Sequence, residues 1–127
     1  MSGSVGEAVV ILVADDDDDV RELIGFRLEH AGYAVISAAD GEEALNLARD
    51  HKPRLCVIDV MMPKLDGYQV TQRLRADAGF AETPIVLLTA SVEEAAVKRG
   101  VDAGATDYIE KPFSPKELLD RIAATLA

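Results

Sequence analysis

Five consecutive aspartates, Asp15 to Asp19, follow directly on the apolar run 9–14, and a second apolar run, Leu55-Cys56-Val57-Ile58, ends in Asp59. Two later runs finish on other polar groups, Thr89 after 85–88 and Lys111 after 107–110. Carboxylates gathered in one place repel. Two of them ~5 Å apart at an effective dielectric of ~20 cost roughly 3 kcal/mol. Three must therefore share a cation or keep a proton. Carboxylate oxygens, with water completing an octahedron, suit Mg2+ or Mn2+ rather than zinc. A metal-neutralised carboxylate beside an ammonium and a hydroxyl is suited to receive a phosphoryl group: cationic groups offset charge on the transferred oxygens while the carboxylate attacks in line.

That chemistry requires elements that bring the five residues together. Short apolar runs at 9–14, 34–38, 54–59, 85–89 and 107–110 alternate with helical patterns at 20–31, 41–51, 67–77, 92–103 and 115–126. Val20, Leu23, Ile24, Leu28 and Ala31 recur at helical spacing, as do Leu118, Leu119, Ile122 and Leu126. Asp19…Glu22, Asp40…Glu43, Asp66…Gln69, Ser91…Glu94 and Ser114…Glu117 all carry the capping-box spacing, and Pro115 suits a first helical position. Gly32 and Gly104 mark helix stops. Ile85-Val86-Leu87-Leu88 is apolar without alternation, as in parallel strands covered on both faces.

The predicted fold class is therefore α/β: a (βα)5 doubly wound, flavodoxin-like sheet of five parallel strands in the order 2-1-3-4-5. Ligands in such sheets bind beyond the carboxyl ends of the strands, at the switch point between strands 1 and 3. Asp15, Asp16 and Asp59 are delivered there, with Thr89 and Lys111 on the neighbouring strand ends.

With 127 residues the chain is expected to form one domain, 8–127, behind a flexible leader, 1–7. A net charge of −10 argues against direct nucleic-acid binding, which needs a basic face, and suits metal or a basic protein partner. Cys56, inside an apolar strand, is expected to be a buried, inert thiol. No stretch has the length of a membrane span or a signal peptide's pattern, so no membrane association and a cytoplasmic location are expected.

The motifs Ile11-Leu12-Val13-Ala14-Asp15-Asp16, Val57-Ile58-Asp59 with Val60-Met61-Met62-Pro63-Lys64-Leu65-Asp66-Gly67, Leu88-Thr89-Ala90, Gly104-Ala105 and Asp107-Tyr108-Ile109-Glu110-Lys111-Pro112-Phe113 stand in order at the expected strand ends. Over about 8–127 the chain resembles the receiver domain of two-component response regulators, the CheY-like superfamily. The resemblance implies that Asp59 takes a phosphoryl group from a sensor histidine kinase or phosphotransfer protein, becoming a 4-aspartylphosphate. It implies Mg2+ held by Asp16, Asp59 and the Met61 backbone carbonyl, with Asp15 acting mainly through water. Lys111 would pair with the phosphoryl oxygens, Thr89 would move toward the phosphate, and Tyr108 would turn inward. That would alter the face of helix 4, strand 5 and helix 5 and so control a downstream effector or an output domain. A cis Lys111-Pro112 bond is also implied.

Other residues carry blander expectations. Asp17, Asp18 and Asp19 are assigned to helix capping and the helix dipole. Phe113 is expected in the core, Met61 and Met62 in loop packing, and His30 and His51 in solvent. In receivers the residue two past the acceptor flanks the path of hydrolytic water. Met61 cannot orient that water, so a phosphoryl form lasting minutes or more is expected. A haloacid-dehalogenase-type hydrolase would need a second Asp where Met61 stands. A flavodoxin-like cofactor binder would need a phosphate loop where five negative charges stand. A phosphorylation-independent pseudo-receiver would lose part of the acidic cluster. The chain is accordingly expected not to be a multiple-turnover enzyme. Helix 5 resembles that of OmpR/PhoB-type factors, where an acid and an arginine, here Asp107 and Arg121, pair across a two-fold dimer. Val97 replaces the usual basic residue on helix 4, which leaves a monomer or a weak helix 4–strand 5–helix 5 dimer.

Overall fold

The computed structural model describes residues 8–127; the expected leader, 1–7, lies outside the described residues. Five strands, β1 (Val10–Ala14), β2 (Ala34–Ala38), β3 (Leu55–Asp59), β4 (Ile85–Thr89) and β5 (Asp107–Glu110), form one sheet. All neighbouring strands pair in parallel, in the order β2-β1-β3-β4-β5. Five helices alternate with them: α1 (Asp18–His30), α2 (Gly41–His51), α3 (Gly67–Arg75), α4 (Glu94–Ala103) and α5 (Pro115–Leu126). A short 3-10 turn, Ala78–Phe80, follows α3. The predicted fold class and strand order are both observed.

Each strand splits its side chains between two cores. Leu12, Ile58 and Leu87 point to one face and pack with Ala44, Leu45, Val70 and Leu74 of α2 and α3. Ile11, Val13, Val57, Val86 and Leu88 point to the other, against Ile24 and Leu28 of α1 and Leu118 and Ile122 of α5. Burial on both faces explains why the strand sequences are continuously apolar.

Helix starts depart from the sequence expectation in instructive ways. α1 begins two residues before the predicted 20, and its N-cap is Asp17, whose carboxylate accepts from the Asp19 and Val20 amides. Asp18 and Asp19 occupy the first turn, where negative charge meets the positive end of the helix dipole. Only α3 has the full reciprocal box, Asp66 with Gln69. Asp40 and Ser114 cap α2 and α5 from one side. α4 starts at Glu94 with no side-chain cap, because Ser91 spends its hydroxyl on the Glu93 amide in the preceding loop. Gly32 and Gly104 both have positive φ at helix ends, as read from the sequence.

Gly67 fixes how α3 leaves the site. A Cβ there would lie 2.6 Å from the Asp59 carbonyl oxygen and 2.9 Å from Val60 Cα. The absence of a side chain lets the helix start directly against the end of β3, with the Gly67 amide bonded to the Val60 carbonyl at 2.9 Å.

Candidate functional site

The carboxyl ends of β1 and β3, adjacent in the sheet, bring Asp15, Asp16 and Asp59 together: one oxygen from each lies within 4.8 Å of the others. Their environments differ. Asp15 is fully buried, Asp59 nearly so, and Asp16 is exposed. Asp15 Oδ1 accepts from the Asp17 amide at 3.0 Å and Oδ2 from Lys111 Nζ at 3.2 Å. Lys111 Nζ also stands 3.0 Å from Asp59 Oδ1. The lysine is itself placed by the sheet, its amide donating to the Thr89 carbonyl at 2.7 Å just beyond β5. The following Lys111-Pro112 bond is cis, as expected.

Burial pushes the Asp59 carboxyl above its ordinary pKa; Lys111 pulls against this, while the charges of Asp15 and Asp16 reinforce it. For Lys111 burial acts downward, but its contacts with Asp59 and Asp15 outweigh it and hold the ammonium above the usual lysine value. The site is thus a set of crowded oxygens with a single ammonium bridging two of the carboxylates. All the donors are oxygens, and the exposed Asp16 leaves one side open to solvent. This fits a hard, partly hydrated divalent cation such as Mg2+.

Thr89 and Tyr108, on neighbouring strands, line one small cavity of about 10 Å³ together with Val60, Tyr68, Leu87 and Gly100. The Thr89 hydroxyl is already engaged: it donates to the Ser91 carbonyl at 2.9 Å and accepts from the Ser91 amide at 3.1 Å. Tyr108 is half-buried against the α2–α3 core. Tyr68 stands on the far side of the cavity with Arg99 of α4 over its ring at 4.4 Å.

Two expectations need correction, those for the loop methionines and for Phe113. Met61 is not packed in the loop: it is 72% exposed, while Met62 enters the core beside it. Phe113 is half-buried, covering the edge of the α1–α5 core rather than filling it. Asp107 and Arg121 pair within one chain, at 2.8 Å. His30 and His51 are exposed and the Cys56 thiol is fully buried, all as expected, with the thiol pKa pushed up to about 12 by desolvation.

One residue beside the site escaped the sequence reading. Arg21, on α1, donates from Nη1 to the Asp15 backbone carbonyl at 2.8 Å and from Nη2 to Asp18. The signal for it was an arginine three residues after an aspartate at the start of a helix, a pairing distance on a helix face.

A doubly wound 2-1-3-4-5 sheet with three carboxylates and a lysine at its switch point defines an aspartate-centred α/β site of the CheY-like type. The model of the response regulator receiver domain matches residues 11–123, and the chain belongs to that family. It is 51% identical over 116 residues to the "Probable transcriptional regulator ycf27" of Porphyridium aerugineum, covering 91% of this chain and 47% of that protein. It is 48% identical to the alkaline phosphatase synthesis transcriptional regulatory protein PhoP of Bacillus subtilis, covering 91% and 48%. The chain spans about half the length of these curated relatives. Among solved structures, the chemotaxis protein CheY4 of Vibrio cholerae superposes with a TM-score of 0.90 at 32% identity, covering 94% of this chain and 99% of that one. The Thermotoga maritima OmpR/PhoB homologue DrrB gives 0.86 at 32% identity, covering 94% and 53%. Receiver domains of this family are signalling switches. Among the described residues no helix is long and apolar enough to cross a membrane.

Proposed function

We propose that this chain is a phosphorylation-activated switch whose acceptor is Asp59. The observation that carries the reading is the Lys111 ammonium, 3.0 Å from Asp59 and 3.2 Å from Asp15, inside a cluster of three carboxylates at the sheet's switch point. A carboxylate oxygen of Asp59 attacks the phosphorus of a phosphohistidine on a sensor kinase or phosphotransfer protein. The P–N bond breaks and its electron pair leaves on the imidazole nitrogen. Lys111 is placed to meet charge on the transferred oxygens, and the low dielectric around Asp15 and Asp59 strengthens that contact. Asp16, Asp59 and the Met61 carbonyl would hold Mg2+, with Asp15 one layer behind through water. Bound there, the ion would neutralise the carboxylates and the incoming phosphoryl group.

The readout lies between Thr89 and Tyr108. Thr89 exchanges its loop bonds to Ser91 for a phosphoryl oxygen, and Tyr108 moves into the space that opens. Such a change alters the balance between two conformations of the α4–β5–α5 face. The relatives about twice as long are named as transcriptional regulators, so the controlled element is an output domain or a separate effector protein, working in the cytoplasm. Nucleic acid is not contacted by this strongly acidic chain itself.

Incubation with acetyl phosphate and Mg2+ tests the whole reading. A stoichiometric, acid-stable, alkali-labile adduct that requires Mg2+ and vanishes in Asp59→Asn is the expected result. Multiple turnover would mark a hydrolase, and no adduct a phosphorylation-independent scaffold; either outcome overturns the proposal.

A further inference from the structure

The Asp15–Asp16 peptide is held on several sides. The Asp15 amide donates to the Ala38 carbonyl at 3.1 Å, extending the β1–β2 ladder by one residue. Its side chain is tied to the Asp17 amide and to Lys111. Its carbonyl, the oxygen of the peptide plane that leads into Asp16, accepts from Arg21 Nη1 at 2.8 Å. Arg21 is only 17% exposed at its side chain, and its other nitrogen is fixed by Asp18, one turn back on α1. A guanidinium is a planar fork, so anchoring one arm orients the other.

We infer that Arg21 is a positioning residue for the exposed carboxylate of Asp16, and so sets the chain's affinity for a divalent cation. This rests on the metal reading of the Asp15, Asp16 and Asp59 cluster given above. Holding the peptide plane fixes the direction in which Asp16 leaves the strand. Among the described residues Asp16 has no side-chain hydrogen bond of its own to do this; Asp15 has two. Asp18, two residues beyond Asp16, then has a role besides its place at the helix dipole: it holds the other arm of the arginine.

Two physical effects of Arg21 oppose each other, which makes the inference decidable. As a bare positive charge near the cluster, Arg21 repels a cation, and its removal would tighten binding. As a clamp it pre-orients a ligand, and its removal weakens binding; outer-layer partners of metal ligands are typically worth about 10–100-fold in affinity. The direct bond to the ligand's own peptide makes the second effect dominant.

The experiment is a MgCl2 titration of the wild-type chain, Arg21→Met, Arg21→Lys and Asp59→Asn, read from backbone amide shifts, with thermal unfolding recorded without metal. Arg21→Met is expected to bind Mg2+ at least tenfold more weakly. Arg21→Lys should recover part of the loss, because one ammonium can reach the carbonyl but cannot also hold Asp18. Unchanged or tighter binding in Arg21→Met, with or without a lower melting temperature, overturns the inference. If Arg21→Met does not fold, wild-type affinity in Arg21→Lys overturns it and weaker affinity supports it. A wild-type chain without saturable Mg2+ binding overturns this inference and the metal reading together. Saturable binding that is weakened by Asp59→Asn but untouched by Arg21→Met overturns this inference alone.

Discussion

Lys111 and Asp59 face each other at 3.0 Å, and the same ammonium reaches Asp15 at 3.2 Å. The lysine therefore occupies the oxygens that a cation would claim. Removing it exposes two nearly buried carboxylates to each other. Lys111→Met is expected to bind Mg2+ several-fold more tightly, yet to acquire its phosphoryl group more slowly from acetyl phosphate. Without metal it should lose about 2 kcal/mol of stability, below the 3–5 typical of a fully buried pair because Lys111 is 29% exposed. Parallel Mg2+ titration, labelling rates and denaturant melts check the three parts.

The pH dependence follows from the raised pKa of Asp59, set chiefly by burial. In the folded chain the carboxyl keeps its proton to higher pH than in the unfolded chain. Its favourable contribution is complete below the unfolded value of about 3.9 and is lost as pH rises through the folded one. Metal-free Asp59→Asn should therefore be more stable than the wild type at neutral pH, the advantage shrinking on acidification toward pH 4. Mg2+ acts in the opposite direction, adding about 2.7 kcal/mol to the wild type at a hundred times its Kd. Melting curves across pH, with and without Mg2+, read both effects; an Asn variant less stable at pH 7 without metal contradicts the argument.

Gly67 abuts the backbone of the acceptor, so Gly67→Ala forces main-chain atoms apart rather than a flexible side chain. A cost of about 1–3 kcal/mol is expected, as for overpacked cores. Because the displaced atoms belong to Asp59 and Val60, phosphorylation should slow even at temperatures where the variant remains folded. Unaltered labelling kinetics in a folded Gly67→Ala chain would show that β3 absorbs the strain elsewhere.

Met61, two residues past Asp59, is exposed, and its thioether does not orient an attacking water as an amide or carboxylate would. The phosphoryl form is expected to decay over minutes or longer, and Met61→Asn or Met61→Glu to shorten its life several-fold. Loss of radiolabel after removal of excess donor measures this. Decay within seconds in the wild type refutes it.

The sheet order and the meeting of Asp15, Asp16, Asp59 and Lys111 were legible because both depend on where strands end, and strand ends are written as abrupt changes of polarity. Caps were legible only in part. Asp19 fits the capping spacing, but Asp17 closes the helix because Asp15 draws the Asp17 amide inward and the chain turns two residues sooner. Ser91 fits it equally well, yet Thr89 and the Glu93 amide take its polar groups. Arg21 went unnoticed because its effect depends on the reach of a long side chain to a carbonyl six residues back, and main-chain oxygens carry no sequence signature. Asp107 and Arg121 were singled out for a contact between two copies, and within one chain they also pair, because β5 and α5 bring them side by side.

That last pair has a thermodynamic corollary. A carboxylate and a guanidinium joined at 2.8 Å within one molecule can meet counterparts on a second copy by parting from each other. Closed pairs in two monomers would become crossed pairs in a dimer, an exchange that leaves the number of charge contacts unchanged. Such a swap is close to neutral in its local charge pairing. Any self-association through this face would have to draw its affinity from newly covered apolar surface, such as the exposed Val92 and Val101, leaving the ion pairs to dictate only the mutual orientation of the two copies.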